Sequence, residues 1–280
     1  MAKRELLRHQ EIERSILTKY RGKLWGPFVR AIKEYELVKP NDKICVCISG
    51  GKDSSLLAKL FEELQKHSDF PFEVKYLVMN PGYIESVQKT IYNNLDVLNI
   101  KAHIEETDIF EIANAQKNGG CYLCAKMRRG ALYRIAKEMG CNKIALGHHY
   151  DDVIQTILMN MLNAGSFQTM MPKLHSDNYP GMELIRPLYL IREKDIIAWA
   201  KYNGLEFIRC ACKFDNADDE TNVRQRVKTK MLIEELRKNY NENVEKNIFA
   251  AGANVNLDKV IAYKTDKKLH SFLDTYDNED

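Results

Sequence analysis

The chain has 280 residues, 45% hydrophobic and 29% charged, which suffices for one large α/β core with helical additions and excludes a disordered chain. A formal net charge of +3 accommodates a polyanionic partner without requiring one, so local clusters of Lys and Arg must carry that argument. Seven cysteines, an odd number, behind a start that lacks the apolar core of a signal peptide argue against a disulfide framework; with no membrane helix in the pattern, a cytoplasmic protein is expected.

Residues 1–38 predict a charged helical arm, with apolar positions at Ile16, Leu17, Phe28, Val29 and Ile32, ended by the turn Lys39-Pro40-Asn41-Asp42. From Lys43 the pattern alternates: strands are expected at 43–48, 72–79, 100–105 and 142–147, helices at 54–66, 84–98, 121–139 and 152–163. Such alternation predicts a parallel sheet with helices on both faces, where ligands gather at the carboxyl ends of the strands. Residues 164–183 read as an irregular excursion, followed by helices over 192–203, 218–240 and 244–263 and a frayed acidic end. The expected organisation is a helical arm (1–38), a nucleotide-handling α/β domain carrying a cysteine site (39–216) and a helical C-terminal region (217–280).

Three constellations carry chemistry. The apolar strand Lys43–Ile48 runs into Ser49-Gly50-Gly51-Lys52-Asp53-Ser54 and then a helix with Leu56, Leu57, Leu60, Phe61 and Leu64 on one face. Two glycines allow close backbone approach, the helix start offers unpaired N–H groups, and Lys52 with the Ser49 and Ser54 hydroxyls completes an anion cradle. The commoner phosphate loop needs a glycine where Val46 stands, so a kinase or GTPase reading loses its main support. The alternative is an ordinary Gly-rich turn.

Cys121 and Cys124 share the first turn of a helix after Gly119-Gly120, a placement that lowers thiol pKa values and suits a metal or cluster. Cys210 and Cys212, expected just after a short strand, are the next candidates, and their Cys-x-Cys spacing favours three ligands with one open position. Zinc, an iron–sulfur cluster and a redox dithiol all remain open at this point. Cys45, Cys47 and Cys141 read as small core residues. In the third constellation, Gly147-His148-His149-Tyr150-Asp151-Asp152 again joins a strand to a helix. Its two acids suit Mg²⁺ or base chemistry on an incoming nucleotide, or simple N-capping, and at most one of the histidines should face the site.

Ser49–Ser54 resembles the signature of the PP-loop ATP pyrophosphatases, which form AMP and pyrophosphate. The three constellations in this order, with Ile185-Arg-Pro-Leu-Tyr-Leu-Ile-Arg-Glu-Lys-Asp-Ile-Ile197, resemble the tRNA 2-thiocytidine synthetase family over roughly residues 20–235. The resemblance implies ATP-dependent adenylation of the C2 oxygen of a tRNA pyrimidine, with cytidine 32 of the anticodon loop as the substrate of the nearest relatives. Sulfur then replaces that oxygen through a [4Fe-4S] cluster. It further implies Cys121, Cys124 and Cys210 as cluster ligands, although the family commonly writes Cys-x-x-Cys-Gly where this chain has Cys210-Ala-Cys212-Lys. Asp152, with Asp151 and Lys52, is the implied catalytic set; Ser49, Gly50, Gly51, Lys52, Asp53, Ser54, Met79 and Gly147 are the implied ATP contacts, with Mg²⁺. A cysteine desulfurase or sulfide would supply sulfur, and a homodimer is an open option. The second strand ends Val78-Met79-Asn80-Pro81 without the acid often found there. Lys126, Arg128, Arg129 and Arg134 on the cysteine helix, and Arg224, Arg226, Lys228 and Lys230 on the later one, are candidates to grip RNA phosphates. A cluster-free ligase such as a tRNA lysidine synthetase, an amidating synthetase, a thiolase of another nucleotide or small molecule, and a nucleotide sensor without turnover are the competing readings.

Overall fold

A computed structural model describes residues 6–115, 120–208 and 220–276, leaving aside the side chains of 114, 120–122 and 220–224. Near the N-terminus α1 (Arg8–Leu17) leads through a π-helical turn (Arg21–Trp25) into α2 (Gly26–Glu34). Ile12, Ile16, Leu24 and Phe28 are fully buried in the main core, and Phe28 meets Phe61 edge to face at 5.7 Å. The expected arm is therefore packed into the same core as the sheet. Lys59 is fully buried beneath it, and its Nζ is hydrogen-bonded to Glu13 at 2.6 Å, to the Leu98 carbonyl at 2.9 Å and to Glu62.

The central sheet contains β1 (Lys43–Ile48), β2 (Glu73–Asn80), β3 (His103–Glu106), β4 (Lys143–Ala145), β5 (Lys173–His175) and β6 (Glu183–Ile185) in the order β3-β2-β1-β4-β6-β5. All pairings are parallel except β5 with β6. The parallel α/β architecture read from the alternation is borne out, with one correction: the excursion over 164–183 contains an antiparallel edge strand, too short for its period to register in the sequence. β1 lies centrally, and Ile44, Cys45 and Val46 are fully buried, as a continuous apolar run requires. Flanking helices are α3 (Lys52–His67), α4 (Glu85–Leu98), α5 (Ile109–Ala115), α6 (Gly120–Glu138), α7 (Tyr150–Ala164) and α8 (Glu193–Tyr202). Among the described residues no helix is long and apolar enough to cross a membrane.

Beyond the sheet, α9 (Glu220–Asn239) and α10 (Val244–Ala251) pack on α7. Phe249 stacks on Tyr150 at 4.3 Å and meets Tyr189 at 5.5 Å, which pins α10 beside the start of α7. The helix expected over 244–263 stops at Ala251. Asn256 takes the Asp258 N–H at 3.0 Å to open a short 3₁₀ turn, and a hairpin follows, β7 (Ala262–Thr265) with β8 (Lys268–Ser271), before α11 (Leu273–Tyr276). Its two-residue turn places Asp266 and Lys267 at φ 50° and 65°; with no glycine to mark it, that turn escapes a sequence reading.

Candidate active site

β1 ends at Ile48 and α3 begins at Lys52, so Ser49–Gly51 form the junction. The Ser54 hydroxyl closes it, accepting from the Ser49 N–H at 3.1 Å, lying 3.2 Å from Ser49 Oγ and donating to the Gly51 carbonyl at 3.1 Å. No side chain caps α3, which leaves its first N–H groups to an anion. Gly50 is required twice over: its φ is +81°, and a Cβ there would lie 2.6 Å from Ile91 and 2.7 Å from Ile208. Lys52 bonds Asp53 Oδ2 and Glu193 Oε1, each at 3.1 Å, and Glu193 Oε2 accepts from Lys230 at 2.8 Å. Burial alone would lower the Lys52 pKa, but Asp53 and Glu193 outweigh it and hold the amine charged. Against its own burial, Glu193 is held down to about 2 by Lys230 and Lys52.

The β4–α7 junction meets this loop from the other side. A Cβ on Gly147 would stand 3.1 Å from the Ser54 amide and 3.2 Å from the Asp53 carbonyl carbon, so glycine lets the two junctions touch without either backbone giving way. Asp151 and Asp152 then part company. Asp151 receives Arg192 Nη2 at 3.1 Å and the Glu193 N–H at 2.7 Å, fixing the start of α8. Asp152 takes the His149 N–H at 3.0 Å through Oδ2 and Arg226 at 3.3 Å through Oδ1. His149 is buried with Nε2 3.9 Å from Asp53 Oδ1.

Between the junctions lies a cavity of about 330 Å³. Its polar wall comprises Ser49, Asp53, Ser54, His148, Asp152 and Arg128; Ile48, Met79, Leu132 and Leu146 supply apolar surface, with Cys47 and Gly147 completing the lining. Lys52 and Asp151 stand outside it, bound as described. Asp53 Oδ1 and His148 Nδ1 are buried there without a hydrogen-bond partner among the described residues. Burial raises the Asp53 pKa, with Asp152 adding to the effect and His149 and Lys52 opposing it. Burial also pushes His148 down to about 4, Asp152 opposing and Arg186 and Arg226 assisting, so this imidazole is neutral near pH 7. An unpaired carboxylate oxygen beside a second carboxylate at a phosphate-binding loop fits a hard divalent cation arriving with a nucleotide. Asn80, where an acid was missed in the sequence, makes the turn after β2: its Oδ1 accepts the Gly82 and Tyr83 N–H groups at 3.1 and 2.7 Å.

Of the cysteines, Cys124 is buried on α6 one turn before the cavity-lining Arg128. The Cys121 side chain, Cys210 and Cys212 lie outside what is described, and among the described residues no three His, Cys, Asp or Glu side chains group as a metal site. Residues 205–208 are not a strand, contrary to expectation; Ile208 instead rests against Gly50, and Asn94 holds the Glu206 carbonyl at 2.9 Å. Thiol donors suit a soft-ligand cluster, and Cys124, on α6 one turn before Arg128, is the one of the three implied ligands whose side chain is described. Cys45 and Cys47 are buried, the latter also facing the cavity, and the buried Cys141 thiol pairs with that of Cys45. On α6, Arg134 is engaged by Glu138 and Glu105. Sequence reasoning missed Arg192 and Glu193 as partners of this site. Their signal was an Arg-Glu pair immediately before a helix, in the stretch used only for resemblance.

An uncapped helix after a Ser-Gly-Gly-Lys-Asp-Ser strand end, faced by an acid-bearing junction on the neighbouring strand, defines an ATP-handling PP-loop protein, and a PP-loop domain profile matches residues 26–237. The chain belongs to the family of the tRNA-cytidine(32) 2-sulfurtransferases. The relative of that name from Geotalea uraniireducens is 36% identical over 242 residues, 84% of this chain and 93% of that protein; the one from Delftia acidovorans is 34% identical over 249 residues, 87% and 75%. Among solved structures, the U34-tRNA thiolase NcsA from Methanococcus maripaludis with its [4Fe-4S] cluster superposes with a TM-score of 0.62 at 21% identity, covering 82% of this chain and 79% of that one, a likeness of fold. The family resemblance drawn from the three motifs is borne out.

Proposed function

We propose that this protein is an ATP-dependent tRNA sulfurtransferase that adenylates the C2 oxygen of cytidine 32 in the anticodon loop and replaces it with sulfur. The observation that carries this reading is the cavity itself: it is bounded by the phosphate loop on one side, Asp152 and His148 on the second and the cysteine-bearing α6 on the third. Converting an oxygen to sulfur on an aromatic base requires a better leaving group than hydroxide, and an AMP ester supplies one.

The start of α3 and the charged Lys52 receive the departing pyrophosphate. Asp53 Oδ1 and Asp152 are the oxygens that would hold Mg²⁺ with ATP, and the Mg²⁺ would neutralise phosphate charge. Asp152, fixed by the His149 N–H, is also the carboxylate placed to take a proton. Leu132, Leu146 and Met79 exclude water around an unstacked base, so the RNA site is a loop and not a duplex. Cys121, Cys124 and Cys210 would hold a [4Fe-4S] cluster, which when bound supplies sulfur at the activated carbon; a cysteine desulfurase or sulfide is its source. Function in the cytoplasm, where tRNA is modified, accords with this reading, and a homodimer is compatible with it.

The test is nucleoside mass spectrometry of tRNA incubated anaerobically with reconstituted protein, ATP and sulfide. The expected products are 2-thiocytidine at position 32, AMP and pyrophosphate; ADP as the main nucleotide product would sink the adenylation chemistry. Cys124→Ala should lose iron while keeping ATP affinity, and stoichiometric zinc with no iron in the parent protein would overturn the cluster assignment.

A further inference from the structure

Arg186 follows β6 directly and is only 7% exposed. One guanidinium nitrogen, Nη1, donates to the Met171 carbonyl, while Nε is buried with no partner among the described residues. A buried guanidinium normally sits against a carboxylate, because desolvating its charge costs several kcal/mol when nothing compensates. Among the described residues no carboxylate is bonded to Arg186. Burial and then the like charge of Arg129 push its pKa down to about 10, with Tyr189, Tyr133 and Asp152 working the other way. Arg186 is thus buried with Nε unpartnered among the described residues, and Arg129, exposed on α6 next to the cavity-lining Arg128, is near enough for its charge to act on it.

The surroundings hold this pair in place. One turn beyond Arg129, Tyr133 stacks on Tyr179 from the β5–β6 hairpin, with ring centres 5.3 Å apart and planes 12° from parallel. The Tyr179 hydroxyl donates to the Gly130 carbonyl at 3.1 Å, tying the hairpin to the residue next to Arg129. Arg128, the neighbour on the other side, lines the cavity. The charge of Arg186 is felt by the cavity-lining His148 as well.

We infer that Arg186 and Arg129 form a seat for one backbone phosphate of the RNA strand, the phosphate adjoining the nucleotide whose base enters the cavity. This rests on the tRNA reading above. A guanidinium is a planar fork of donors that matches two oxygens of a phosphodiester, and a single phosphate bridging a buried and an exposed arginine gives the first an anionic partner and offsets the repulsion between the two. ATP phosphates share this chemistry. They have the α3 start and Lys52 to bind them, whereas this pair stands on the flank built by α6 and the segment after β6.

The experiment measures tRNA affinity by filter retention between 50 and 200 mM salt, and ATP affinity separately, for the full chain and its Arg186→Gln, Arg129→Ala and doubly substituted forms. Arg186→Gln should weaken tRNA binding about tenfold and reduce the salt slope by about 1. Arg129→Ala should weaken binding by roughly half an order of magnitude, and the double form should lose less than the product of the two, since one phosphate serves both. ATP affinity should stay within about twofold throughout, as a backbone phosphate contact requires. Weakened ATP binding with tRNA binding intact would assign the seat to a nucleotide phosphate and overturn the inference. Lowered melting temperature with tRNA affinity and salt slope unchanged would make Arg186 a structural cation only. Should Arg186→Gln fail to fold, the exposed Arg129→Ala decides alone, and an unchanged salt slope in it overturns the inference. Parent protein without tRNA affinity would remove the functional reading and this inference together, a result recognisable because it needs no substitution.

Discussion

After β1 the chain closes its junction with a hydroxyl and leaves backbone amides open; after β4 it closes the equivalent junction with carboxylates. Ser54 both accepts from and donates to the loop that contains it, which leaves at the start of α3 main-chain N–H donors whose direction no side-chain rotamer can change. At the second junction two adjacent acids diverge. Asp151 reaches outward to Arg192 and the start of α8, and Asp152 turns back to the His149 N–H and the cavity. Side-chain identity is thus interchangeable at neither junction, for different reasons: the first needs small residues to shape a backbone, and the second uses one charge to hold α8 and turns the other to the cavity.

The division between the two acids breaks most visibly at Asp152. Asp152→Asn preserves the volume and can still accept the His149 N–H, but it removes the charge proposed above to meet Mg·ATP. Base modification should fall by about 10²–10⁴-fold, the range for a lost acid–base or metal-ordering group. ATP affinity should change only a few-fold, and iron content not at all. Single-turnover thiolation assays with parallel ATP titrations check this; retained turnover would return Asp152 to the role of a helix cap.

The legible part of this site was the part written as contiguous sequence. Ser49–Ser54 and Gly147–Asp152 each sit on one strand-to-helix junction, so the local pattern names the residues and the parallel sheet brings them together. Illegible were the partners contributed from elsewhere in the chain: Glu193 on Lys52, Arg226 on Asp152, Arg192 on Asp151, each separated by at least 41 residues from the group it meets. The adjacent acids could not be assigned from sequence because a one-residue step around a helix start turns a side chain by about 100°. The hairpin after α10 stayed hidden for a local reason, since its turn uses Asp266-Lys267 in left-handed geometry where a glycine would have announced it.

A second way to sharpen the comparison uses acid. His148 has a folded pKa pushed down to about 4 from 6.5, mainly by burial. Between those values the unfolded chain binds a proton that the folded chain refuses, so stability falls as pH drops through the window and is unaffected above it. The loss should approach about 3 kcal/mol at the acid end. Glu193, held down to about 2, adds a loss of the same sign only below about pH 4.5. Urea unfolding at pH 7 and pH 4.5 measures the difference, and His148→Asn should remove much of it while Ser49→Ala, at the hydroxyl-built junction, should leave it unchanged. An undiminished pH dependence in His148→Asn would place the titrating group elsewhere.

The smallest effect belongs to the scaffold acid. Asp151→Asn keeps an oxygen for the Glu193 N–H but gives up the charge-assisted pairing with Arg192, which retains Glu245 at 2.7 Å and lies over the Tyr150 ring. Stability should drop by about 1 kcal/mol, and by about 2 kcal/mol for Asp151→Ala, which also loses the cap. Some of that disturbance must travel: Asp151 sets the first turn of α8, that turn carries Glu193, and Glu193 steadies Lys52. ATP affinity should therefore weaken about threefold with the rate at saturating ATP nearly intact, the signature of a lost ground-state contact. A fall in rate matching that of Asp152→Asn, with unchanged stability, would mean that both carboxylates work on the nucleotide and that the outward turn of Asp151 belongs only to the unliganded protein.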